Sequence, residues 1–117
     1  MVAKTKEYIP DRGDIIWLNF NPTRGHEQKG KRPALVLSPK IYNKHAELAL
    51  LAPITSTVKG YPFEVLVSTK VIKGVILADQ LRSVDWVERK AQKISSASAT
   101  TMLAVQEHLE KLLVLTS

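Results

Sequence analysis

The spacing of the apolar residues changes once along this chain, near Ser98. Before that point the apolar residues come in short runs separated by Gly, Pro, Asn or Ser, a pattern typical of strands and turns. Beyond it, apolar residues recur at intervals of three or four: Met102, Val105, Leu109, Leu112 and Leu113. That spacing predicts an amphipathic helix with Ser98 as its N-cap. We therefore expect a mainly β (α+β) fold, in which a strongly bent antiparallel sheet or small barrel is covered by a C-terminal helix.

Six apolar runs are predicted to be strands, over residues 14–20, 34–38, 47–54, 63–67, 71–77 and 90–95. Residues 38–45 are expected to form a turn or one short helix. The continuous apolar run of the third strand predicts burial on both of its faces. Gly74, inside the fifth strand, indicates a bulge or the close approach of another backbone segment.

The first two predicted strands flank a polar segment. Alternation in the first strand places Trp17 and Asn19 on the face opposite the core-facing Ile16 and Leu18. Pro33 suits the first position of the second strand, where no amide hydrogen is yet required.

Length and composition limit the function classes. The 117 residues, 44% of them hydrophobic, are enough for one domain, and we assign it to residues 1–117 with residues 1–11 loosely ordered. The formal charge of +6 suggests a polyanionic partner such as nucleic acid. The absence of cysteine excludes disulfides, thiolate metal sites and a cysteine nucleophile. With no signal peptide and no apolar run long enough to cross a bilayer, a soluble cytoplasmic protein is expected.

The polar residues show no metal-binding pattern. The three histidines, at positions 26, 45 and 108, lie far apart in sequence, and no carboxylate–histidine spacing matches a zinc or two-metal site. Neither a Gly-rich phosphate loop nor a nucleophile elbow is present. We therefore expect no metal and no cofactor.

The segment "NPTRGHEQKGKRP", residues 21–33, combines two Pro, two Gly and many charges without an apolar period. Loops of this length in small domains are functional or disordered. Glu27 and Arg32 could meet across its base. RNA cleavage without a metal needs a base for the 2′-hydroxyl, a cation for the phosphorane and an acid for the leaving oxygen. A Glu–Arg pair could contribute to this chemistry, although composition alone favours a solvated charged loop.

Four sequence blocks together resemble the MazF/PemK family of toxin endoribonucleases, and its MazF members in particular. The first, "GDIIWLNFNPTRGHEQKGKRPALVLS", contains the family's Glu-Gln-x-Gly-x-Arg-Pro motif. The others are "APIT" at 52–55, "KGYPFEV" at 59–65 and "LADQLRSVDW" at 77–86. They occur in the family's order and cover the chain from about residue 13 to the terminal helix.

The resemblance implies an SH3-like β-barrel, shared with the CcdB gyrase poisons, and an active homodimer. It also implies the toxin of a toxin–antitoxin system, cleaving single-stranded mRNA at short sequence motifs and thereby inhibiting translation. The expected cleavage is metal-independent and gives a 2′,3′-cyclic phosphate or 3′-phosphate and a 5′-hydroxyl. The expected inhibitor is a cognate antitoxin whose acidic, disordered tail lies along the RNA groove.

Carried over residue by residue, the resemblance assigns catalysis to Arg32, Thr55 and Glu27. Arg32 would stabilise the phosphorane or act as acid, Thr55 would lie beside the scissile phosphate, and Glu27 would act as base or orient Arg32. Further substrate contacts are expected from eight residues: Gln80, Asp79, Arg82, His26, Trp17, Asn19, Lys29 and Lys31.

Structural roles remain open for the same side chains. Arg32 could form an ion pair at a strand start, and Thr55 could close its own turn by bonding to the backbone. Gln80 could satisfy buried backbone groups. Trp17 could stack on an RNA base, pack at a dimer contact or lie under the loop.

Two other functions fit the same barrel. A gyrase-poisoning toxin would retain its effect after Arg32→Ala and depend on the terminal helix. An SH3-like module that binds nucleic acid or protein would show salt-sensitive binding without a cleaved product. The pairing of "EQKGKRP" with "APIT" favours the nuclease, because neither alternative needs both motifs.

Overall fold

The computed structural model describes residues 8–19 and 30–114. Within these ranges the chain forms seven strands and two helices. They are β1 (Asp14–Asn19), β2 (Lys31–Val36), α1 (Lys40–Ala46), β3 (Leu48–Thr55), β4 (Glu64–Ser68), β5 (Lys73–Leu77), β6 (Arg82–Asp85), β7 (Gln92–Ser96) and α2 (Ala99–Leu113). Ser98 is the N-cap of α2, and its hydroxyl accepts the Thr101 N–H at 3.1 Å, as the sequence predicted. The predicted mainly β fold with a C-terminal helix is confirmed.

The strands form one curled antiparallel sheet, a half-barrel with the order β4-β5-β3-β2-β1-β7. Strand β3 changes neighbours along its length on the edge away from β2. Its first half pairs with β6, from Leu48–Asp85 to Leu51–Arg82, and its last residues pair with β5 through Thr55–Val75. One long strand serving two neighbours lets the sheet bend without breaking its ladder of hydrogen bonds.

Both faces of the sheet are packed. Ile15 and Ala52 belong to the cluster under α2, together with Val105 of that helix. Ile16 and Leu18 belong to a second cluster on the opposite face. Strand β1 is therefore buried on both faces, and the expectation that Trp17 lies on a non-core face is wrong. Its indole is half-buried against the α2 cluster.

Two apolar segments are less buried than expected. Leu48 and Leu50 of β3 are 36% and 43% exposed, because the cluster under α2 begins only at Ala52. Leu112 and Leu113 at the end of α2 are 41% and 49% exposed, although they continue the apolar period of the helix. Periodicity identified the apolar face of α2 correctly but not how far along the helix the sheet would cover it.

Strand β2 begins earlier than predicted, at Lys31, so Pro33 is its third residue rather than its first. Arg32 is thereby inside the ladder, with its Cα opposite Leu18 of β1. The strand β6 was not predicted, since it is only 4 residues long with one buried side chain, Val84. The short helix allowed for residues 38–45 is present as α1.

Asn43, fully buried in α1, ties this helix to the sheet and to the start of the described chain. Its amide NH₂ donates to the carbonyls of Pro10 at 2.8 Å and Ser38 at 3.0 Å, and its amide oxygen accepts the Ser38 hydroxyl. The Trp86 indole N–H donates to the Asn43 backbone carbonyl at 2.9 Å. This polar group is fully satisfied, as burial requires.

Residues 8–11 are held in place, although they fall in the stretch expected to be loosely ordered. Tyr8 donates its hydroxyl to the Asp14 carboxylate, which also accepts the Asp11 N–H at 3.0 Å and lies 3.4 Å from Lys93 Nζ. Burial and the hydrogen bond to Asp14 raise the pKa of Tyr8 well above its ordinary value.

Candidate nucleic-acid interface

The fold brings Arg32 and Thr55 together. Strands β2 and β3 pair through Val36–Leu51, Leu35–Ala52 and Ala34–Pro53. Extending that register by two residues places Arg32 opposite Thr55 on the same face of the sheet. Both residues line an open depression of about 490 Å³. They are 23 positions apart in sequence, so only the strand pairing could show that they meet.

The walls of this depression come from three parts of the fold. Trp17, Lys31 and Pro33 lie on one side, and Ile54 and Ser56 flank Thr55. Val71 and Ile72 of the turn between β4 and β5, with Lys73 at the start of β5, complete the lining. Sequence reasoning missed this last group, which is brought in by the pairing of β5 with the end of β3.

Thr55 is held by its own turn and by a glycine. Its Oγ1 accepts the Thr57 N–H at 3.1 Å, so the turn-closing role foreseen for Thr55 is present. The hydroxyl hydrogen is still available, and the side chain lines the depression. A Cβ added to Gly74 would lie 2.2 Å from the Thr55 carbonyl oxygen. The close backbone approach that Gly74 indicated is therefore confirmed, and its partner is the backbone of Thr55.

A second depression, of about 290 Å³, lies on the far side of Thr55. It contains Gln80, which is exposed in the turn between β5 and β6, so the role of satisfying buried backbone groups does not fit. The remaining lining residues are Thr57, Lys59, Tyr61, Glu64 and Leu77. Lys59 and Tyr61 belong to the "KGYPFEV" block, but nothing in its spacing indicated that they would stand beside Thr55.

A third depression, of about 170 Å³, lies beside Trp17 and Lys31, which also line the first. It adds Asn19, Lys90 and Gln92. The three depressions thus share residues at each junction, and we call them together the site groove.

The site groove is electropositive. Arg32, Lys31 and Lys73 lie in its central part, with Lys59 and Lys90 towards its two ends. Among its described lining residues the only acid is Glu64. The carboxylate of Glu64 is engaged by the backbone N–H groups of Lys59 and Gly60 at 3.2 and 3.0 Å. A row of cations along an open groove suits a polyanion.

Of the remaining expected site residues, two are described by the structure and three are not. Asp79 and Arg82 are exposed near Gln80 in the chain, but neither lines the two depressions that contain Thr55. Arg32 donates to the Lys31 carbonyl at 3.3 Å, among its other interactions. His26, Glu27 and Lys29, with the loop that carries them, lie outside the described residues.

The described residues contain neither a metal-ligand cluster nor a membrane-spanning helix. In the ranges 8–19 and 30–114, no group of three or more His, Asp or Glu side chains is arranged to hold a metal ion. No helix in the same ranges has the length and apolar character needed to span a membrane.

Comparison with known proteins decides the family. Residues 11–113 match the family described as the PemK-like, MazF-like toxin of type II toxin–antitoxin systems. The chain belongs to this family. It is 43% identical over 106 residues to the endoribonuclease toxin MazF of Escherichia coli K12, covering 91% of this chain and 96% of that protein. It is 32% identical over 108 residues to the Escherichia coli endoribonuclease PemK, covering 88% and 81%.

Solved MazF structures share the fold. A crystal structure of a MazE–MazF complex from Deinococcus radiodurans aligns with a TM-score of 0.84 at 42% identity, covering 94% of this chain and 100% of that one. A crystal structure of MazF from the same organism aligns with a TM-score of 0.81 at 47% identity. The resemblance stated from the four sequence blocks is confirmed.

Proposed function

We propose that this chain is the toxin of a toxin–antitoxin system and cleaves single-stranded mRNA in the cytoplasm without a metal ion. The observation that carries the proposal is the meeting of Arg32 and Thr55 in one open, electropositive groove. Several relatives, including MazF of Escherichia coli and EndoA of Bacillus subtilis, are endoribonucleases by name.

In the proposed reaction the ribose 2′-oxygen attacks the adjacent phosphorus, and the bond from phosphorus to the 5′-oxygen breaks. The products are a 2′,3′-cyclic phosphate and a 5′-hydroxyl, and water can then hydrolyse the cyclic phosphate to a 3′-phosphate and a free 2′-hydroxyl. Arg32 donates two N–H groups to phosphate oxygens and stabilises the charge on the phosphorane. Thr55 donates its hydroxyl hydrogen to the same phosphate. By resemblance, Glu27 removes the 2′-hydroxyl proton, and Arg32 donates a proton to the leaving 5′-oxygen as its bond to phosphorus breaks.

The position of Arg32 within β2 supports this role. A cation on a paired strand is preorganised, so little rearrangement is needed when charge develops. Trp17 offers a half-buried ring beside Arg32 on which a base could stack, while Lys31 and Lys73 attract flanking phosphates. Binding should therefore weaken steeply as salt is raised.

Incubation of the purified protein with single-stranded RNA in the presence of a chelator tests the reaction. We expect cleavage with 5′-hydroxyl ends, and no cleavage of a substrate with 2′-deoxyribose at the cut site. Cleavage that returns only with added magnesium, or equal cutting of the deoxy substrate, would refute the mechanism.

Substitution of Arg32 tests the site itself. Arg32→Ala should lower kcat by about 100- to 1,000-fold, the usual effect of losing one preorganised donor to a developing oxyanion. Arg32→Lys should recover only part of this, because an ammonium group lacks the planar fork. Lys44→Ala, an exposed cation on α1, is the matched control and should cleave normally. Toxicity that survives Arg32→Ala would instead favour a non-catalytic toxin.

We also propose two partners. The first is a cognate antitoxin, as in the MazE–MazF complexes of Deinococcus radiodurans, with an acidic tail that occupies the site groove. Competition between a labelled RNA and the tail peptide checks this, because simultaneous binding would contradict a shared groove.

The second partner is another copy of this chain. A groove of about 380 Å³ between α2 and the segment that follows β2 is lined mainly by apolar side chains, Leu37, Met102, Val105 and Leu109, together with Arg12 and Gln106. We call it the helix groove. Leu50 lies beside it, since the Leu37 N–H donates to the Leu50 carbonyl at 2.8 Å. An apolar groove with exposed apolar neighbours suits a self-complementary dimer contact.

A further inference from the structure

We propose that Tyr61 is the stacking platform for a nucleobase next to the scissile phosphate, and that the segment 57–64 thereby helps to select the cleavage site. The inference rests on the proposed ribonuclease function. It assigns a substrate-recognition role to the depression on the far side of Thr55.

The first observation is the position of Tyr61. The residue is 60% exposed, yet it lines the same depression of about 290 Å³ as Thr55 and Gln80. Leu77 supplies an apolar contact there. Because Thr55 lines both this depression and the one with Arg32, a base placed against Tyr61 belongs to a nucleotide adjoining the reacting phosphate. An aromatic ring, an apolar side chain and an amide are the groups with which proteins hold unpaired bases.

The second observation is that the backbone around Tyr61 is fixed. One carboxylate oxygen of Glu64 accepts the Lys59 N–H at 3.2 Å, and the other accepts the Gly60 N–H at 3.0 Å. The Glu64 N–H in turn donates to the Tyr61 carbonyl at 3.1 Å. Gly60 has a φ of 77°, which glycine adopts without strain. These bonds hold the backbone on both sides of Tyr61, so little backbone entropy is left to lose when the ring binds a base.

The third observation is the cation over one face of the ring. Lys59 Nζ lies over the Tyr61 ring, 5.8 Å from its centroid. A nucleotide carries a flat base and a phosphate, and the pair matches both, with the base on the Tyr61 face that Lys59 does not cover and Lys59 at the phosphate. Gln80 can donate and accept at the edge of the stacked base, which gives the depression a means of distinguishing one base from another.

The test compares Tyr61→Ala and Tyr61→Phe with wild type by sequencing the 5′ ends of a cleaved transcript pool. Tyr61→Ala should lower kcat/KM on the preferred site by about tenfold to a hundredfold and spread cleavage over more sites. Tyr61→Phe should behave as wild type, because stacking needs the ring and not the hydroxyl. Tyr42→Ala, a substitution of an exposed tyrosine on α1, should leave the cleavage pattern unchanged.

Abasic substrates identify the contact. A set of oligonucleotides, each lacking one base beside the cut site, should include one that wild type cleaves as slowly as Tyr61→Ala cleaves the intact RNA. Wild type and Tyr61→Ala should cleave that oligonucleotide at the same rate. The stacking role is wrong if Tyr61→Ala lowers kcat/KM by the same factor on every abasic substrate, or has no effect on the intact RNA. The ribonuclease function would still stand. If wild type cuts no RNA at all, the proposed function itself has failed, and the stacking role fails with it.

Glu64 acts here as a positioning residue, so its effect should pass through Tyr61. Glu64→Ala should spread cleavage as Tyr61→Ala does, and Glu64→Gln should restore part of the preference because its amide oxygen still accepts one N–H. In a Tyr61→Ala background, Glu64→Ala should leave the cleavage pattern as it is. An additional shift in that background would mean that Glu64 acts by another route.

Discussion

Some residues of this chain act by leaving space for the backbone of a neighbouring residue. Gly74 is an example, because the missing side chain allows β5 to lie against the Thr55 carbonyl. Thr55 then stands at the point where the two central depressions of the site groove meet. A residue with no functional group therefore sets the position of one that has a proposed catalytic role.

Gly74→Ala should lower the rate of RNA cleavage by more than its loss of folding stability can explain. The added methyl group would meet backbone atoms of Thr55, which cannot move aside as a flexible side chain can, so we expect a loss of about 1–3 kcal/mol in stability together with displacement of the hydroxyl. Thermal unfolding and single-turnover cleavage measure the two effects. Val67→Ala, a buried change opposite Gly74 on β4, is the control for destabilisation alone. Equal activity of the two variants below their melting temperatures would refute the positioning role.

Tyr8 should make folding sensitive to alkaline pH. Its folded pKa is raised above the ordinary value of 10.0, so the stability it contributes is present below that pH and is lost as the pH rises beyond it, where the unfolded chain ionises first. Urea unfolding of wild type and Tyr8→Phe between pH 7 and 11 checks this prediction. The stability of wild type relative to Tyr8→Phe should be constant up to about pH 9 and decline above it. A difference that stays constant to pH 11 would show that Tyr8 titrates normally.

At the scale of elements, α1 is held less by its own sequence than by one buried amide. The helix has only seven residues, too few to be stable alone, and its N-cap residue Pro39 supplies no side-chain hydrogen bond, although Asp11 accepts the Lys40 N–H at 2.9 Å. Asn43 replaces these missing local interactions by bonding to Pro10 and Ser38, while its carbonyl receives the Trp86 indole.

Asn43→Ala should destabilise the protein by about 3 kcal/mol, because it leaves the Pro10 carbonyl and the Ser38 hydroxyl without this buried partner. Chemical denaturation measures the loss. Lys44→Ala, an exposed neighbour on the same helix, should change stability by no more than about 0.5 kcal/mol. Cleavage by the folded Asn43→Ala protein should be normal, since the site groove is built from other elements. A cost below about 1 kcal/mol would mean that water replaces the amide.

The molecule as a whole presents two contrasting surfaces. The site groove carries cations along its length, while the helix groove and the uncovered Leu50, Leu112 and Leu113 are apolar. The first surface is the proposed site for RNA, and the second is the proposed contact with another copy of the chain. The net charge of +6 should assist encounter with RNA and with an acidic antitoxin tail.

Wild type should sediment as a dimer, and Leu50→Lys should weaken that dimer by at least about a hundredfold. In a two-fold contact the change occurs twice, and each buried leucine contributes about 1.5–3 kcal/mol. Sedimentation equilibrium over a range of concentrations measures the constant. Leu66→Lys, at a leucine that is 74% exposed on β4, is the control and should leave the dimer intact. A monomeric wild type, or equal effects of the two substitutions, would contradict the proposed contact.

Much of the architecture followed from local sequence patterns. The change of period at Ser98 predicted α2 and its cap, and short apolar runs predicted six of the strands, because each of these signals depends on residues a few positions apart. The short β6 was missed, since one buried valine gives no detectable period. The exposure of Leu48 and Leu50 was also missed, because an apolar run does not show whether another element covers it.

The sequence by itself determined the family and the types of residue available for chemistry, since the motif blocks and the composition are local properties of the chain. Tertiary structure decided which of those residues stand together. Arg32 and Thr55 share a depression because β2 and β3 pair in one register, and Tyr61 joins Gln80 because two distant turns end beside Thr55. Such contacts join segments far apart in sequence, and the pairing and curvature of the sheet alone bring them into reach.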